Sequence, residues 1–460
     1  MREFKLRPHQ PLMMGFLADH PRCNLWALPG LGKTVTVLSM LDIYYNVIGE
    51  DAPTLVLGPL RVARDVWSTE VGKWSHLTKL VVSVIVGTPE ERRAALKAKA
   101  HVYVTNYDNL PWLVEELGPR WPFGRIVADE ATRLKSFRLR QGGKRAQALA
   151  RFAHKNATSF WNLTGTPSPN GLRDLWAPQW FIDAGQRLGR TFSAFEARWF
   201  HVQRQAGGYP GPAIAHPWAQ EQIMAKLADC SLTVDPRDWF DLREPIVNVI
   251  EVELPARARA AYRQMERDFL AEIQGHEIEA LNAAAKSMKL LQFANGAAYI
   301  EAGSDATVEV HDAKLLALES LLEEQGGNPV LVAYHFKSDL ARIQRAFPDA
   351  IDVATVDGLA RAKRGEGRLW VGHPASMGHG VDGLQEHCHT LAFFGHWWDL
   401  EQRQQMIERV GPTRQMQAGK DRAVTIHNIV ARGTVDEIVM ARHSSKRAVQ
   451  DLLLDYMRTK

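Results

Sequence analysis

Residues 26–34 read WALPGLGKT and stand directly before an apolar run of helical composition, VTVLSMLDIYYNVI. Glycine lets the backbone approach a phosphate group because it has no Cβ, and the first N–H groups of a helix donate to phosphate oxygens. In such a loop Gly30 and Gly32 shape the backbone, Lys33 reaches the β- and γ-phosphates, and the Thr34 hydroxyl binds Mg²⁺. The stretch predicts a strand-to-helix turn that binds a nucleoside triphosphate.

A pair of acidic residues, Asp129 and Glu130 in the segment RIVADEAT, follows another apolar strand pattern. In a parallel α/β sheet, ligands bind at the carboxyl ends of the strands. One acid at that edge can bind Mg²⁺, and a second can orient or deprotonate the attacking water. Alone, the pair would be better explained as a solvated strand end with two surface acids. Beside the phosphate loop, it predicts nucleotide hydrolysis.

The rest of the chain shows two regions in which strands and helices alternate. Near-continuous apolar strands separated by helical patterns indicate a parallel sheet with both faces covered. Such strands recur in the first region as TLVLGP, LVVSVIVG, HVYVTNY and SFWNLTGTP, and in the second as PVLVAYHF, RLWVGHP, TLAFFGHW and AVTIHNIV. The predicted fold is α/β, with an N-terminal lobe at 1–170, a mainly helical insert and linker at 171–310, and a C-terminal lobe at 311–460.

Composition excludes several classes of protein. Of 460 residues, 45% are hydrophobic and 23% are charged, which is typical of a globular chain. The longest apolar run is far shorter than the ~18 residues of a membrane span. Three widely separated cysteines without a CxxC pair argue against a disulfide scaffold and a zinc site. We expect a cytoplasmic protein that is not secreted and has no membrane partner, and its net charge of +4 permits nucleic-acid binding without requiring it.

Nine motifs in order along the chain resemble those of Swi/Snf-type DNA translocases, which are superfamily-2 helicase-fold ATPases. The motifs are LRPHQ, GLGKT, TLVLGPLRVARDVWSTEVGKW, TNYDNL, DEATRLKS, LTGTPSPN, PVLVAYHF, SMGHGVDGLQ and QMIERVGPTRQ. The resemblance implies two RecA-like parallel-sheet lobes of the P-loop NTPase fold. It also implies ATP and Mg²⁺ as cofactors, with hydrolysis driving movement along double-stranded DNA.

The resemblance assigns roles to individual residues, with ATP bound between the lobes. It implies nucleotide contacts by Gln10, Gly30, Gly32, Lys33, Thr34, Gly380 and Asp382, and Mg²⁺ binding by Thr34 and Asp129. The implied catalytic residues are Lys33, Glu130, Arg409 and Arg414. Nucleic-acid contacts are implied for the motifs that contain Arg61, Thr105, Tyr107, Lys337 and Ser376.

Three positions depart from the family pattern. Ala27 replaces a glycine of the strict phosphate-loop pattern, and Thr132 replaces the usual histidine after the acidic pair. Pro412 stands where the last motif carries its second arginine, so either Arg409 or Arg414 could neutralise γ-phosphate charge, and we assign that role to both.

The partner expected from the resemblance is double-stranded DNA, gripped through its phosphates without reading sequence. The short chain favours a bacterial or bacteriophage translocase core that is monomeric and acts alone or with a recruiting protein partner. Two alternatives stay open. One is a single-strand DNA or RNA helicase of the same superfamily, and the other is a nucleotide-dependent binding scaffold with weakened ATPase activity.

An aromatic stretch at 176–200 has two interpretations. Its rings could form a stacking surface for bases. Because the aromatic residues recur near helical spacing, we favour packing in a hydrophobic core.

Overall fold

A computed structural model describes residues 1–139, 143–204, 210–275, 280–300, 306–377, 381–420 and 422–445. These residues divide into two compact units, Met1–Asp241 and Leu242–Ser445. Each unit contains one large sheet in which every pairing is parallel. The predicted α/β class with two parallel-sheet lobes is therefore confirmed.

The sheet of the first unit has seven strands in the order β3-β4-β2-β5-β6-β1-β9. The strands of this unit are β1 (Arg22–Ala27), β2 (Thr54–Gly58), β3 (Val82–Ile85), β4 (Val102–Asn106), β5 (Arg125–Asp129), β6 (Ser159–Thr164), β7 (Phe200–Arg204), β8 (Pro210–Ala215) and β9 (Ser231–Val234). Strands β7 and β8 form a separate antiparallel hairpin.

The helices of the first unit cover both faces of the sheet. They are α1 (Gln10–Asp19), α2 (Lys33–Asp42), α3 (Trp67–Lys73), α4 (Pro89–Lys97), α5 (Leu110–Leu117), α6 (Lys144–Ala153), α7 (Trp176–Asp183), α8 (Phe192–Trp199) and α9 (Ala219–Leu227). The run predicted as one helix after the phosphate loop is α-helical in α2 and continues as a π-helical turn, Ile43–Ile48.

The sheet of the second unit has six strands in the order β10-β17-β16-β13-β15-β14. The strands are β10 (Ile246–Val252), β11 (Ala297–Tyr299), β12 (Thr307–Glu309), β13 (Val330–Ala333), β14 (Ile351–Asp352), β15 (Leu369–Gly372), β16 (Thr390–Phe393) and β17 (Thr425–Ala431). The helices are α10 (Ala256–Gly275), α11 (Ala280–Asn295), α12 (Ala313–Glu324), α13 (Lys337–Ala346), α14 (Val356–Lys363), α15 (Pro374–Met377), α16 (Leu400–Ile407) and α17 (Pro412–Gln417).

The segment 171–310, expected to be a mainly helical insert, is shared between the two units. Its strand β9 pairs with β1 and completes the first sheet, whereas β10 pairs with β17 at the edge of the second sheet. Both strands contain β-branched residues, which favour strands wherever a partner strand can pair with them.

The aromatic stretch that follows the first sheet is part of the hydrophobic core. Trp176, Phe181, Phe195 and Trp199 are completely buried. This confirms core packing as the interpretation of these rings. In the part of the chain that the structure describes, no helix combines the length and the apolar character needed to cross a membrane.

Strand register brings the motifs of the first unit to one edge of its sheet. Trp26 at the end of β1 lies beside Thr164 at the end of β6. Asp129 at the end of β5 pairs with Leu163, one residue earlier on β6. The phosphate loop after β1 and the acidic pair after β5 thus leave the sheet on its carboxyl edge, where ligands bind in such folds.

Candidate nucleotide-binding site

The phosphate loop connects the end of β1 to Lys33, the first residue of α2. Gly30 has φ 89° and Gly32 has φ 75°, values that glycine adopts without steric cost. The Lys33 ammonium donates to the carbonyl oxygen of Ala27 at 2.6 Å. The half-buried Thr34 hydroxyl makes no hydrogen bond with any described residue, so it remains free for a ligand. The loop has the backbone and side chains of a phosphate site.

The segment LRPHQ packs directly against this loop. The side chain of Gln10 is buried, and its Oε1 accepts a hydrogen bond from the Arg7 backbone N–H at 2.8 Å. A Cβ on Gly32 would lie 2.7 Å from Nε2 of Gln10, so the amide and the loop are in close contact. Gly32 is therefore required both for its left-handed backbone and for its lack of a side chain.

His9 extends the contacts of the same segment. Its Nε2 lies 2.8 Å from the carbonyl oxygen of Leu31, at the centre of the loop. Its ring packs edge-on against Trp239 and Phe240, with centroid distances of 6.1 and 5.5 Å. Burial lowers the pKa of His9 below its usual value, in opposition to the hydrogen bond with Leu31. The imidazole is thus a neutral packing and hydrogen-bonding group at ordinary pH.

The acidic pair adopts an unusual backbone conformation. Asp129 ends β5, and Glu130 has φ 55° and ψ 57°, in the left-handed region. Among the described residues other than glycine, only Glu130 and Ala184 have positive φ. Such a conformation costs about 1 to 3 kcal/mol and persists where the surrounding structure enforces it, often at a functional site. Both acidic residues are almost completely buried.

Two aromatic side chains from the motifs resembling nucleic-acid contacts hold Asp129 in place. The indole Nε1 of Trp67 donates to Oδ2 of Asp129 at 3.1 Å, and Trp67 is fully buried. The Tyr107 hydroxyl donates to the backbone oxygen of Asp129 at 2.9 Å. Sequence reasoning did not identify Trp67 because its partner lies 62 residues away. The only signal was its place in the motif that follows β2.

Burial changes the interpretation of two expected nucleic-acid contacts. Thr105 is 0% exposed and its hydroxyl donates to the carbonyl oxygen of Ile85, whereas Tyr107 is 4% exposed. Neither side chain therefore presents its hydroxyl to a phosphate in this structure. Arg61 and Ser376 are partly exposed and Lys337 is exposed, although the Ser376 hydroxyl donates to the carbonyl oxygen of His373 at 2.8 Å.

The second unit brings together three of the residues assigned to nucleotide chemistry. Nη1 of Arg409 donates to the backbone oxygen of Val381 at 2.7 Å, next to Asp382. Arg414 in α17 forms an ion pair of 2.9 Å with Asp382. Burial alone would raise the pKa of Asp382, but the Arg414 charge and a bond from the Gly383 N–H lower it below its usual value. Gly380, also assigned to the nucleotide, lies outside the described residues.

Comparisons with known proteins relate this chain to one group. Residues 23–295 match the family model described as SNF2-related domain. Protein p41 of Acyrthosiphon pisum secondary endosymbiont phage 1 is 53% identical over 462 residues, which cover 100% of both chains. The chain is 28% identical over 178 residues to transcription regulatory protein SNF2 of Saccharomyces cerevisiae, covering 38% of this chain and 10% of that protein.

Two further matches extend over more of the chain. The ISWI chromatin-remodeling complex ATPase CHR11 of Arabidopsis thaliana is 24% identical over 312 residues, covering 64% of this chain and 26% of CHR11. The Sulfolobus solfataricus SWI2/SNF2 ATPase core in complex with dsDNA aligns with a TM-score of 0.44 and 19% identity, covering 98% of this chain and 94% of that one. The chain thus spans the whole phage relative but only a small part of the eukaryotic ones.

Proposed function

Because the chain belongs to the SNF2-related family of helicase-fold ATPases, we propose that it hydrolyses ATP and uses the energy to move along double-stranded DNA. One arrangement carries the proposal. The loop with Gly30 and Gly32 packs against Gln10 and leads into Lys33, and the buried pair Asp129–Glu130 leaves the same edge of the sheet. The resemblance of the LRPHQ, RLKS and LTGTPSPN elements to those of Swi/Snf-type translocases favours duplex DNA over a single strand.

The residues at this edge fit ATP with Mg²⁺. Mg²⁺ is usually bound by one or two carboxylates together with phosphate oxygens and water. The free hydroxyl of Thr34 and the carboxylate of Asp129 are ligands of that kind. When bound, Mg²⁺ would supply positive charge that stabilises the negative charge developing on the phosphate oxygens.

The protein side chains have separate tasks in this scheme. Lys33 exchanges its bond with Ala27 for the phosphate oxygens of ATP, and Gln10 contacts the adenine. Glu130 accepts the proton of the water that attacks the γ-phosphorus, which breaks the bond to the β-phosphate oxygen and releases ADP and phosphate. The resemblance assigns to Arg409 and Arg414 the neutralisation of charge on the γ-phosphate, and to Asp382 and Gly380 a part in nucleotide binding.

The proposed setting is that of a compact bacterial or bacteriophage enzyme. We propose that it works as a monomer in the cytoplasm, alone or recruited by a protein partner. The full-length match to a phage protein supports this setting. Arg61, Lys337 and Ser376 are the proposed phosphate contacts, and such contacts bind DNA without reading its sequence.

Steady-state ATP hydrolysis tests the proposal. Turnover is measured without nucleic acid, and with duplex DNA, single-stranded DNA or RNA, using the Glu130→Gln variant as the blank. Movement is measured in parallel as ATP-dependent displacement of a third strand from a triplex on the duplex. Stimulation by duplex DNA together with displacement is the expected result. Stimulation only by single strands or RNA would instead identify a conventional helicase, and absence of turnover throughout would favour the scaffold alternative.

The hydrogen bond from Trp67 to Asp129 leads to a prediction about the Mg²⁺ dependence of turnover. Replacing Trp67 with phenylalanine keeps a ring in the buried site but removes the indole N–H. We expect the Mg²⁺ concentration for half-maximal turnover to rise about 10- to 100-fold, because partners that orient a metal ligand have effects of that size. Trp74→Phe is the matched control, since the Trp74 indole donates to Glu70 instead. Equal Mg²⁺ dependence in both variants would show that Trp67 only fills space.

The two arginines of the second unit are expected to behave differently when replaced. Arg414→Ala should slow turnover while leaving the melting temperature nearly unchanged, because its ion pair with Asp382 is partly exposed. Arg409→Ala should lower both the turnover number and the melting temperature, because Arg409 is buried and donates to the backbone oxygens of Val381 and Gln405. Turnover and thermal melting are measured for both variants. If neither variant slows turnover, the last motif has been assigned to the wrong residues.

A further inference from the structure

The antiparallel hairpin β7–β8 presents an exposed face in the first unit. His201 pairs with Ile214, and Val202 pairs with Ala213. Directly paired residues share a face of a sheet and successive residues alternate. His201 and Ile214 therefore lie on one face, and Val202 lies on the other. Ile214 is 40% exposed, and Trp218, which follows the hairpin, is 42% exposed.

Three rings lie in succession on the His201 face, named here the ring ladder: His201, His216 and Trp218. The centroids of His201 and His216 are 5.1 Å apart with the rings tilted by 37°, and those of His216 and Trp218 are 5.0 Å apart with an interplanar angle of 4°, so this second pair is stacked. Trp218 packs on the buried Trp199 at 5.7 Å, which anchors the ladder to the core. The ladder is a rigid, partly exposed aromatic surface.

The polar edges of these rings have no partner in the described structure. The ring nitrogens of His201, His216 and Trp218 make no hydrogen bond with any described residue. These nitrogens can hydrogen-bond to polar groups that lie beside the ladder, in the planes of its rings, while the exposed ring faces contact planar groups. A purely apolar partner would leave those nitrogens unpaired.

Charge around the hairpin favours an anionic partner. Residues 184–218 contain four arginines and one glutamate. The glutamate, Glu196, pairs with Arg173 and adds no free negative charge. One of the arginines, Arg187, pairs with Asp183 and Asp229 and adds no free positive charge either. Another, Arg198, lies over the ring of Trp199 at 4.6 Å, next to the ladder. A nucleic-acid strand combines the planar bases and the negative phosphates that this surface matches.

We propose that the ring ladder binds unpaired bases of a DNA strand next to a duplex. In duplex DNA the faces of the bases are stacked on one another and are inaccessible, so the ladder selects a single-stranded segment. The inference rests on the proposed function, since it requires DNA as the partner. It extends that function by directing the enzyme to a junction between duplex and single-stranded DNA.

The test compares the affinities of the full chain for two labelled DNAs without nucleotide at one fixed salt concentration. One is a blunt duplex, and the other is the same duplex with a single-stranded tail. Wild-type protein should bind the tailed DNA more tightly, and Trp218→Ala should lose at least about fivefold of that affinity, the value for one stacked base. Trp218→Phe should keep most of the wild-type affinity for the tailed DNA. The matched control is Val202→Ala, which removes a 52% exposed side chain from the opposite face.

The outcomes distinguish failure of the ring ladder as a base-binding surface from failure of the proposed function. Equal binding of both DNAs by the wild type, or equal losses in Trp218→Ala and Val202→Ala, would overturn the ladder as a base-binding surface. The blunt duplex would still test DNA binding itself. No binding of either DNA would overturn DNA as the partner in the proposed function, and thermal melting of each variant excludes loss of the fold as the cause.

Discussion

Replacing Lys33 with alanine is expected to reduce the ATP turnover number at least about 100-fold, the loss typical when one preorganised donor to transition-state charge is removed. Lys33 is the first residue of α2 and follows Gly32 in the phosphate loop. Its ammonium bonds to the backbone of that loop at Ala27. No other lysine occurs between residues 6 and 72, so no nearby lysine in sequence can substitute for it.

Stability should separate this effect from unfolding. Lys33 is only partly buried, and loss of its bond to Ala27 should cost about 1 kcal/mol of the free energy of unfolding. Turnover and melting temperature are therefore measured on the same preparation. Lys97→Ala, at the exposed end of α4, is the matched control and should retain wild-type turnover. Wild-type turnover in Lys33→Ala would contradict the assignment of the phosphate loop.

The second large effect is expected for Glu130→Gln, which should retain ATP binding and lose about 10²- to 10⁴-fold of the turnover number. Glutamine has the size of glutamate but cannot accept the proton of the attacking water. The substitution also keeps a side chain at a position where the backbone is left-handed and the residue is buried. Loss of activity would then reflect lost proton transfer.

Binding and turnover are measured separately for this variant. Calorimetric titration with ATP and Mg²⁺ gives the affinity, and single-turnover hydrolysis gives the rate of the chemical step. Glu90→Gln, on the exposed first turn of α4, controls for the change in net charge. If Glu130→Gln loses ATP binding but still hydrolyses ATP slowly, Glu130 holds the nucleotide and is not the base.

Most predictions about the first unit came from short sequence motifs. Gly30, Gly32 and Lys33 were predicted as a phosphate loop, and the structure gives both glycines positive φ and begins α2 at Lys33. The predicted glycine turn into a helix is thus confirmed, because the conformational freedom of glycine acts within a few residues, while phosphate binding by this loop stays a prediction. The closeness of Gln10 to Gly32 came only from the resemblance, since nothing in the local pattern brings these residues together.

Contacts between distant residues were not predictable in the same way. The hydrogen bond from Trp67 to Asp129 joins α3 to the end of β5 across 62 residues. The burial of Thr105 and Tyr107, both in motifs expected to contact DNA, follows from how β4 and the next turn pack in the unit. The residue types are compatible with exposed or buried positions, so only the packed structure decides.

By itself the sequence determined the α/β class, the glycine turn between β1 and α2, and the acidic pair at the end of a strand. Each depends on local chemistry: glycine backbone freedom, β-branched strand composition, and charges placed directly after an apolar run. The tertiary structure alone decided that β9 and β10 join different sheets, that the backbone of Glu130 is left-handed, and that the rings of His201, His216 and Trp218 lie against one another. These features depend on strand pairing and side-chain packing between residues far apart in the chain. The free energy of such contacts cannot be inferred from a local pattern of residues.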